Sequence, residues 1–342
     1  MKTGSHQIRR RKTLWISLAF LLAISGLSLR FGVVDMSNEA FWSVWNGTSD
    51  NLMHQRLIWN VRLPRLGASV VAGGLLSLCG LLMQNLFRNP LAGPSLLGVT
   101  SGSSLGVALM TMAAAAMGWQ MENILFFSAI PMAALLGALL VLGIILMVSR
   151  RMNDHHSLLI FGVMLGYLTG ALITILQFKA NADNIRAFVM WGMGSFADVN
   201  ASILLVLSIT LVISYIFISR EAMPLNHYLL GDAYAQSMGT DVRALRRKMV
   251  AICGIQVGLV TAYCGPVAFI GLTVPIVARL IMGVSDHRQI IPVATVLGMV
   301  AGVLCDQISI FFTLPLNAIT AAMGAPMLIA LLIKSKSGML RL

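Results

Sequence analysis

Charge is what this sequence has least of. Asp, Glu, Lys and Arg make up 11% of its 342 residues, against about 25% in an ordinary soluble domain. Acids are the scarcer sign, 12 against 24 bases, and the net charge is +12. Cysteine is sparse too: Cys79, Cys253, Cys264 and Cys305 all fall inside apolar runs. There they behave as small apolar residues, which excludes a disulfide framework or a zinc-finger spacing. The sequence holds no HExxH stretch and no GxxxxGK[ST] phosphate loop, and no nucleophile–base pair stands out. A zinc hydrolase of that class and a self-contained P-loop ATPase are thereby excluded.

Apolar length is what the chain has instead. Hydrophobic residues make up 58% of it, and about 20 helical residues suffice to cross a hydrocarbon layer. Apolar runs lie at Thr13–Arg30, Leu63–Met83, Ser95–Gly118, Ile124–Ser149 and Ser157–Phe178. Five more lie at Ala201–Ser219, Lys248–Ala268, Gly271–Gly283, Ile290–Phe312 and Asn317–Lys334. The fold class is therefore an all-α polytopic membrane protein with about ten transmembrane helices, the Gly271–Gly283 run being short for a crossing. A segment over 1–12 precedes one transmembrane domain over 13–334, and a tail follows over 335–342. The basic start, Arg9 to Lys12, has the look of a signal peptide. No small-x-small cleavage site follows, so the first helix is expected to remain.

Basic residues set the expected orientation, because positive flanks resist translocation. With the N-terminus inside, the inner segments collect Lys2, Arg9–Lys12, Arg88, Arg150, Arg151, Arg220, Arg243, Arg246, Arg247, Lys248, Arg288, Lys334, Lys336 and Arg341. The outer segments hold only Arg30, Arg56, Arg62, Arg65, Lys179 and Arg186, while Arg279 sits in a span or at its inner edge. Both termini are thus expected on the cytoplasmic side. The basic surplus is topological, and nucleic acid is not an expected partner. Trp15 at the inner edge, and Trp42, Trp45, Trp59, Trp119 and Trp191 at or beyond the outer ends, suit the interfacial preference of indole.

An internal echo accompanies this layout. Arg62, Gly73, Cys79, Gly80, Pro90 and Gly98 recur 185 positions later as Arg247, Gly258, Cys264, Gly265, Pro275 and Gly283. Five crossings separate the copies, so the second runs in the opposite direction, as in an inverted repeat. Coincidence in a glycine-rich membrane chain is the competing explanation.

The stretches Arg62-Leu-Pro-Arg65 and GGLLSLCGLLMQNLFRNPLAGPSLLGVTSG (Gly73–Gly102) come first in a longer pattern. LGDAYAQSMGTDVRALRR (Leu230–Arg247), GPVAFIGLTVPIVAR (Gly265–Arg279), SDHRQIIPVATVLGMVAGVLCD (Ser285–Asp306) and AITAAMGAPMLIALL (Ala318–Leu332) continue it. Together they closely resemble the permease subunits of bacterial ABC importers for iron chelates, haem and cobalamin. The resemblance implies the type II importer fold of ten spans in the bacterial cytoplasmic membrane. It implies a homodimer or a pair of related permease subunits, a cytoplasmic ABC ATPase dimer and an extracytoplasmic substrate-binding protein. ATP and Mg belong to the ATPase, and no cofactor or metal is expected on this chain. Three departures stand out: Ile276 replaces the family's His after Pro275, Ile310 replaces an Arg after Asp306, and Thr313 and Asn317 flank Pro315 in place of Glu and Gly.

The resemblance also assigns roles. The inner connection over 220–248 corresponds to the element that docks on the ATPase. It reads as two short helices broken around Gly239, with Gly231, Asp232, Ala233 and Gly239 in coupling. Arg62 and Arg65, at the outer mouth of the second span, would meet acidic lobes of the binding protein, since charged rims steer docking. Simple snorkelling is the alternative for that pair; Arg56 and Arg186 are weaker candidates. Met164, Tyr167, Thr169 and Gln177, in the fifth span, are candidates to line the path. Asn89 and Pro90, between two spans, and Gly265 and Pro275 are candidates for a hinge or gate.

Other readings compete less well. His155 and His156 beside Asp154 suggest solvated histidines rather than a metal site. No predicted span contains a histidine, and Asp306 is the sole acid within one. An ion-coupled secondary transporter, the alternative function, would need more ionisable groups there.

Overall fold

The computed structural model describes residues 2–32, 34–113, 124–151 and 155–336. Trp119, Asp154, the end of the Ser95–Gly118 run, the tail beyond 336 and the side chains of His155 and His156 lie outside the described residues. Within them the chain forms fourteen α-helices and no strand. They are α1 Lys2–Arg30, α2 Asn38–Trp45, α3 Leu52–Leu86 with a π turn at Leu57–Arg62, α4 Val99–Ala108, α5 Ile124–Ser149, α6 His155–Lys179 and α7 Ala182–Gly192. There follow α8 Ala201–Arg220, α9 Ala222–Leu229, α10 Asp232–Ser237, α11 Val242–Cys264, α12 Ile270–Met282, α13 His287–Phe312 and α14 Leu316–Lys336.

Each of the ten predicted spans has its helix. Six helices (α1, α3, α5, α6, α8 and α13) contain stretches long and apolar enough to cross a membrane. The apolar parts of α4, α12 and α14 are shorter, and α11 starts with the charged turn that holds Arg243 to Lys248. Four short helices, α2, α7, α9 and α10, lie between spans.

Small residues four apart decide which helices meet. Ser69, Gly73 and Ser77 form such a stripe on α3, and Ala294, Gly298 and Gly302 form its counterpart on α13. A Cβ on Gly73 would run into the Gly298 carbonyl, and one on Gly302 into the Ser69 carbonyl. The Ser77 hydroxyl donates to the Ala294 carbonyl at 2.7 Å. Backbones this close gain dispersion contact that larger residues would forbid. A second seam joins Gly102 and Gly106 of α4 to Gly137 and Ala133 of α5. A third sets Gly254 and Gly258 of α11 against Leu142 and Ala138 of α5.

These registers also give direction. α3 and α13 pair from Ser69–Gly302 to Ser77–Ala294, hence antiparallel, and the α4–α5 and α5–α11 seams are antiparallel likewise. α3 and α8 run parallel, Gly67 meeting Leu204 and Gly74 meeting Leu211. That is the pattern of consecutive crossings that alternate in direction. α11, which carries the second motif copy, runs with α4 rather than with α3.

α12 is short because the chain before it is not helical. Gly265 has φ +71 and Phe269 φ +63, so the backbone enters the bundle extended and becomes helical only at Ile270. Irregular backbone at such depth is tolerated where protein surrounds it. Pro275, inside α12, has no N–H to give the Gly271 carbonyl. It is against this carbonyl that Gly80 of α3 packs so tightly that no Cβ fits.

Candidate functional site

At one end of the α3–α13 seam, buried polar side chains tie the α9–α10 connection to the bundle. His287, the first residue of α13, is fully buried, which corrects the expectation that no span contains a histidine. Asn226 of α9 gives its amide N–H to Asp286 Oδ1 at 2.7 Å, which orients its Oδ1 toward His287. That oxygen accepts the His287 backbone N–H at 2.9 Å and lies 2.8 Å from Nδ1. Nδ1 therefore carries the proton, and Nε2 accepts from Asn85 Nδ2 of α3 at 2.9 Å. Asn85 Nδ2 also donates to the Leu225 carbonyl at 3.1 Å. One neutral imidazole thus joins α3, α9 and α13.

A charged cluster sits beside it. Asp232, at the start of α10, pairs with Arg88 and, at 3.3 Å, with Arg246 of α11. Arg88 has φ +45, a strained conformation for a side-chain-bearing residue. Its guanidinium is held by Asp232, by the Tyr228 carbonyl at 3.2 Å and by the Tyr228 ring 4.5 Å from its centroid. Tyr228 is buried and donates its hydroxyl to the Leu86 carbonyl at 3.2 Å. Burial raises the phenol above its ordinary value, which keeps that donor protonated. Lys248 and Glu221 close the outer side of the connection at 2.6 Å.

The connection breaks around Gly239, as expected, and also breaks once before it. Its two short helices are separated at Gly231, whose φ of +116 only glycine adopts readily, while Gly239, at φ +78, ends α10. Both glycines face open space. Ala233 is exposed, as are Leu230, Tyr234 and Met238, so the connection turns an apolar face away from the bundle.

Among the hinge candidates, Asn89 accepts the Leu91 N–H at 2.9 Å and makes a turn, and Pro90 borders a cleft. Gly265 is packed, since a Cβ there would lie 2.6 Å from the Trp191 carbonyl. Pro275 acts through the carbonyl described above.

The opposite end of the seam is charged. Arg62 is 7% exposed, and its guanidinium donates to the Leu29, Arg30 and Val34 carbonyls at 2.7, 2.9 and 2.6 Å. Arg65 holds Asp306 through two nitrogens at 2.8–3.0 Å. The expected outward rim is therefore corrected: Arg62 is engaged inside the chain, with three of its five donors on carbonyls, and Arg65 is committed to a buried acid. Ile310 does not leave Asp306 without a cation, because Arg65 supplies one.

The comparisons with known proteins agree with this geometry. Residues 19–334 match the FecCD transport family. The chain belongs to the FecCD transport family. It is 33% identical over 341 residues to the vitamin B12 import system permease protein BtuC of Salmonella paratyphi A, covering 98% of this chain and 99% of that one. The corresponding protein of Citrobacter koseri is 32% identical over 344 residues, again covering 98% and 99%. An inward-facing structure of a metal-chelate type ABC transporter superposes with a TM-score of 0.81 at 26% identity, covering 95% of this chain and 99% of that one. PsaBC from Streptococcus pneumoniae, 14% identical with a TM-score of 0.52, shares the fold. This is an ABC importer permease, a membrane transport protein.

Within this FecCD permease the fifth-span candidates separate. Met164 and Tyr167 are exposed on α6, at 54% and 71%, and Gln177 is half-buried. Thr169 is corrected as a path residue: it is buried, with its hydroxyl 2.9 Å from the Leu165 and Gly166 carbonyls of its own helix. Sequence reasoning missed Asn226 and His287, and took Asn85 only as part of the connection that holds Asn89 and Pro90. The only signal was three polar residues close to span ends; their meeting depends on pairings 202 and 61 residues apart.

Proposed function

We propose that this chain carries an iron–siderophore, haem or related metal chelate across the bacterial cytoplasmic membrane. A separate cytoplasmic ATPase dimer supplies the energy from ATP and Mg by docking on α9–α10. A substrate-binding protein outside delivers the cargo, and a second copy or a related subunit completes the path. Both termini then face the cytoplasm, in keeping with the distribution of Lys and Arg.

One observation carries this reading. The α9–α10 connection presents Leu230, Ala233, Tyr234 and Met238 outward and is tied by Asn85, His287 and Asn226 to the central helices. A partner that pushed on its exposed face would move α3 and α13 together, a two-state element biased from outside. The similar proteins support import of a corrinoid or metal chelate, being named for vitamin B12 and for metal chelates. On the outer side, the exposed Arg56 and Arg186 are better placed than Arg62 to meet a binding protein. Ion coupling has less support, because Asp306 is already matched by Arg65.

The test is reconstitution with the neighbouring ATPase and binding protein, and uptake of a panel of iron chelates, haem and cobalamin. ATP-dependent uptake of one class is expected. Uptake without any ATPase would contradict the reading.

A further inference from the structure

Beside the joint, a cleft of about 640 Å³ opens between the end of α3, the α9–α10 turn and the end of α12. Its lining divides in two. Arg88 and Arg279 supply cations, and Ile276, Leu280, Leu230 and Val284 supply an apolar wall. Arg9 of α1 reaches the rim, its Nη1 3.3 Å from where a Cβ on Gly283 would stand.

The two cations of the cleft are matched unequally. Arg88 has Asp232. Arg279 donates to the neutral Gln84 side chain, and among the described residues no carboxylate pairs with it. A largely desolvated guanidinium without an anion is costly. Planar guanidinium groups match the oxygens of a phosphate, and basic pockets between helices at a membrane surface suit anionic headgroups. The apolar wall next to them suits the start of an acyl chain, whereas a free anion would leave that wall wet.

We propose that this cleft binds the phosphate group of an anionic amphiphile, a phospholipid of the surrounding leaflet, which lies between the α9–α10 connection and α12. The occupant would neutralise Arg279 and bridge the connection to the bundle. The claim concerns binding by the permease itself, so it can fail while the transport reading stands.

The test uses the full-length permease in neutral detergent, titrated with short-chain phosphatidylglycerol, with phosphatidylcholine of the same chain length, and with inorganic phosphate. Melting temperature and native mass spectrometry report binding. Phosphatidylglycerol is expected to stabilise the wild type and remain bound. Arg279→Gln should weaken it about tenfold, the loss of one charge-assisted contact. Leu280→Trp, which fills the cleft without changing charge, should do the same, and Arg150→Gln, an exposed charge elsewhere, should not. Equal protection by inorganic phosphate at matched concentration would keep the anion site and assign it to the free ion. Equal stabilisation by phosphatidylcholine, or affinities unchanged in both cleft variants, would overturn the proposal. So would an Arg279→Gln variant that keeps its lipid but loses the ATPase, since the anion would then be a protein carboxylate.

Discussion

The two ends of the α3–α13 seam are closed by different chemistry. At the α2 end, Arg65 grips Asp306 through two nitrogens, and Arg62 ties two carbonyls at the end of α1 and one in the link to α2. At the α9–α10 end the same two helices meet through Asn85 and His287, both neutral. Breaking a buried ion pair leaves an uncompensated charge, at a cost of about 3–5 kcal/mol. Neutral hydrogen bonds contribute about 1 kcal/mol each and exchange readily for bonds to water. The α3–α13 link is therefore fixed by charge at the α2 end and neutral at the α9–α10 end. There the ion pairs hold the connection rather than α13, and a partner can shift the two helices with less resistance.

The largest expected effect removes the frame that both ends share. Gly80→Leu pushes a side chain into the Gly271 carbonyl of α12. Its cost is expected to exceed about 5 kcal/mol, and size-exclusion chromatography after mild extraction should recover no monodisperse protein. Asp306→Ala comes next. It should lower stability by about 3–5 kcal/mol in thermal unfolding, while the double change Arg65→Met with Asp306→Leu recovers most of the loss. If the double variant is as unstable as the single one, the pair is not the fixed point.

His287→Ala sharpens the comparison at the other end. Loss of its two side-chain bonds should cost about 2 kcal/mol in the same assay, less than Asp306→Ala, yet uptake should suffer more. Gly239→Leu should cost only about 1 kcal/mol, since the position is open and only its positive φ resists a side chain. It should leave ATP hydrolysis intact and abolish most uptake. The smallest effect belongs to Thr169→Val, within about 0.5 kcal/mol and with uptake unchanged. A large uptake defect there would return Thr169 to the translocation path.

The ten helices that match the predicted apolar runs are legible in the sequence because apolar length is a local property. The close seams are legible in part: Ser69, Gly73 and Ser77 sit at every fourth position, but only packing shows that Gly298 and Gly302 face them. α2 and α7 are not legible, since both are short and mix Trp and Phe with charged residues inside polar connections. Arg62 and Arg65 look like an outward rim because nothing local reveals their partners. Asp306 is 241 residues from Arg65, and the Arg62 carbonyls lie at the end of α1 and in the link to α2. His287 hides for the same reason. Its neighbours Asp286 and Arg288 suggest a solvated turn, and the residues that bury it come from α3 and α9. The motifs point to the coupling connection, and its geometry adds a break at Gly231 to the one at Gly239.

The most direct measurement is the number of ATP molecules hydrolysed per chelate imported, in proteoliposomes holding the permease, its ATPase and its binding protein. It compares the wild type with His287→Ala. If the neutral joint transmits force, hydrolysis persists while uptake falls about tenfold, and the ratio rises accordingly. A ratio equal to that of the wild type, with uptake and hydrolysis unchanged or reduced together, would contradict it.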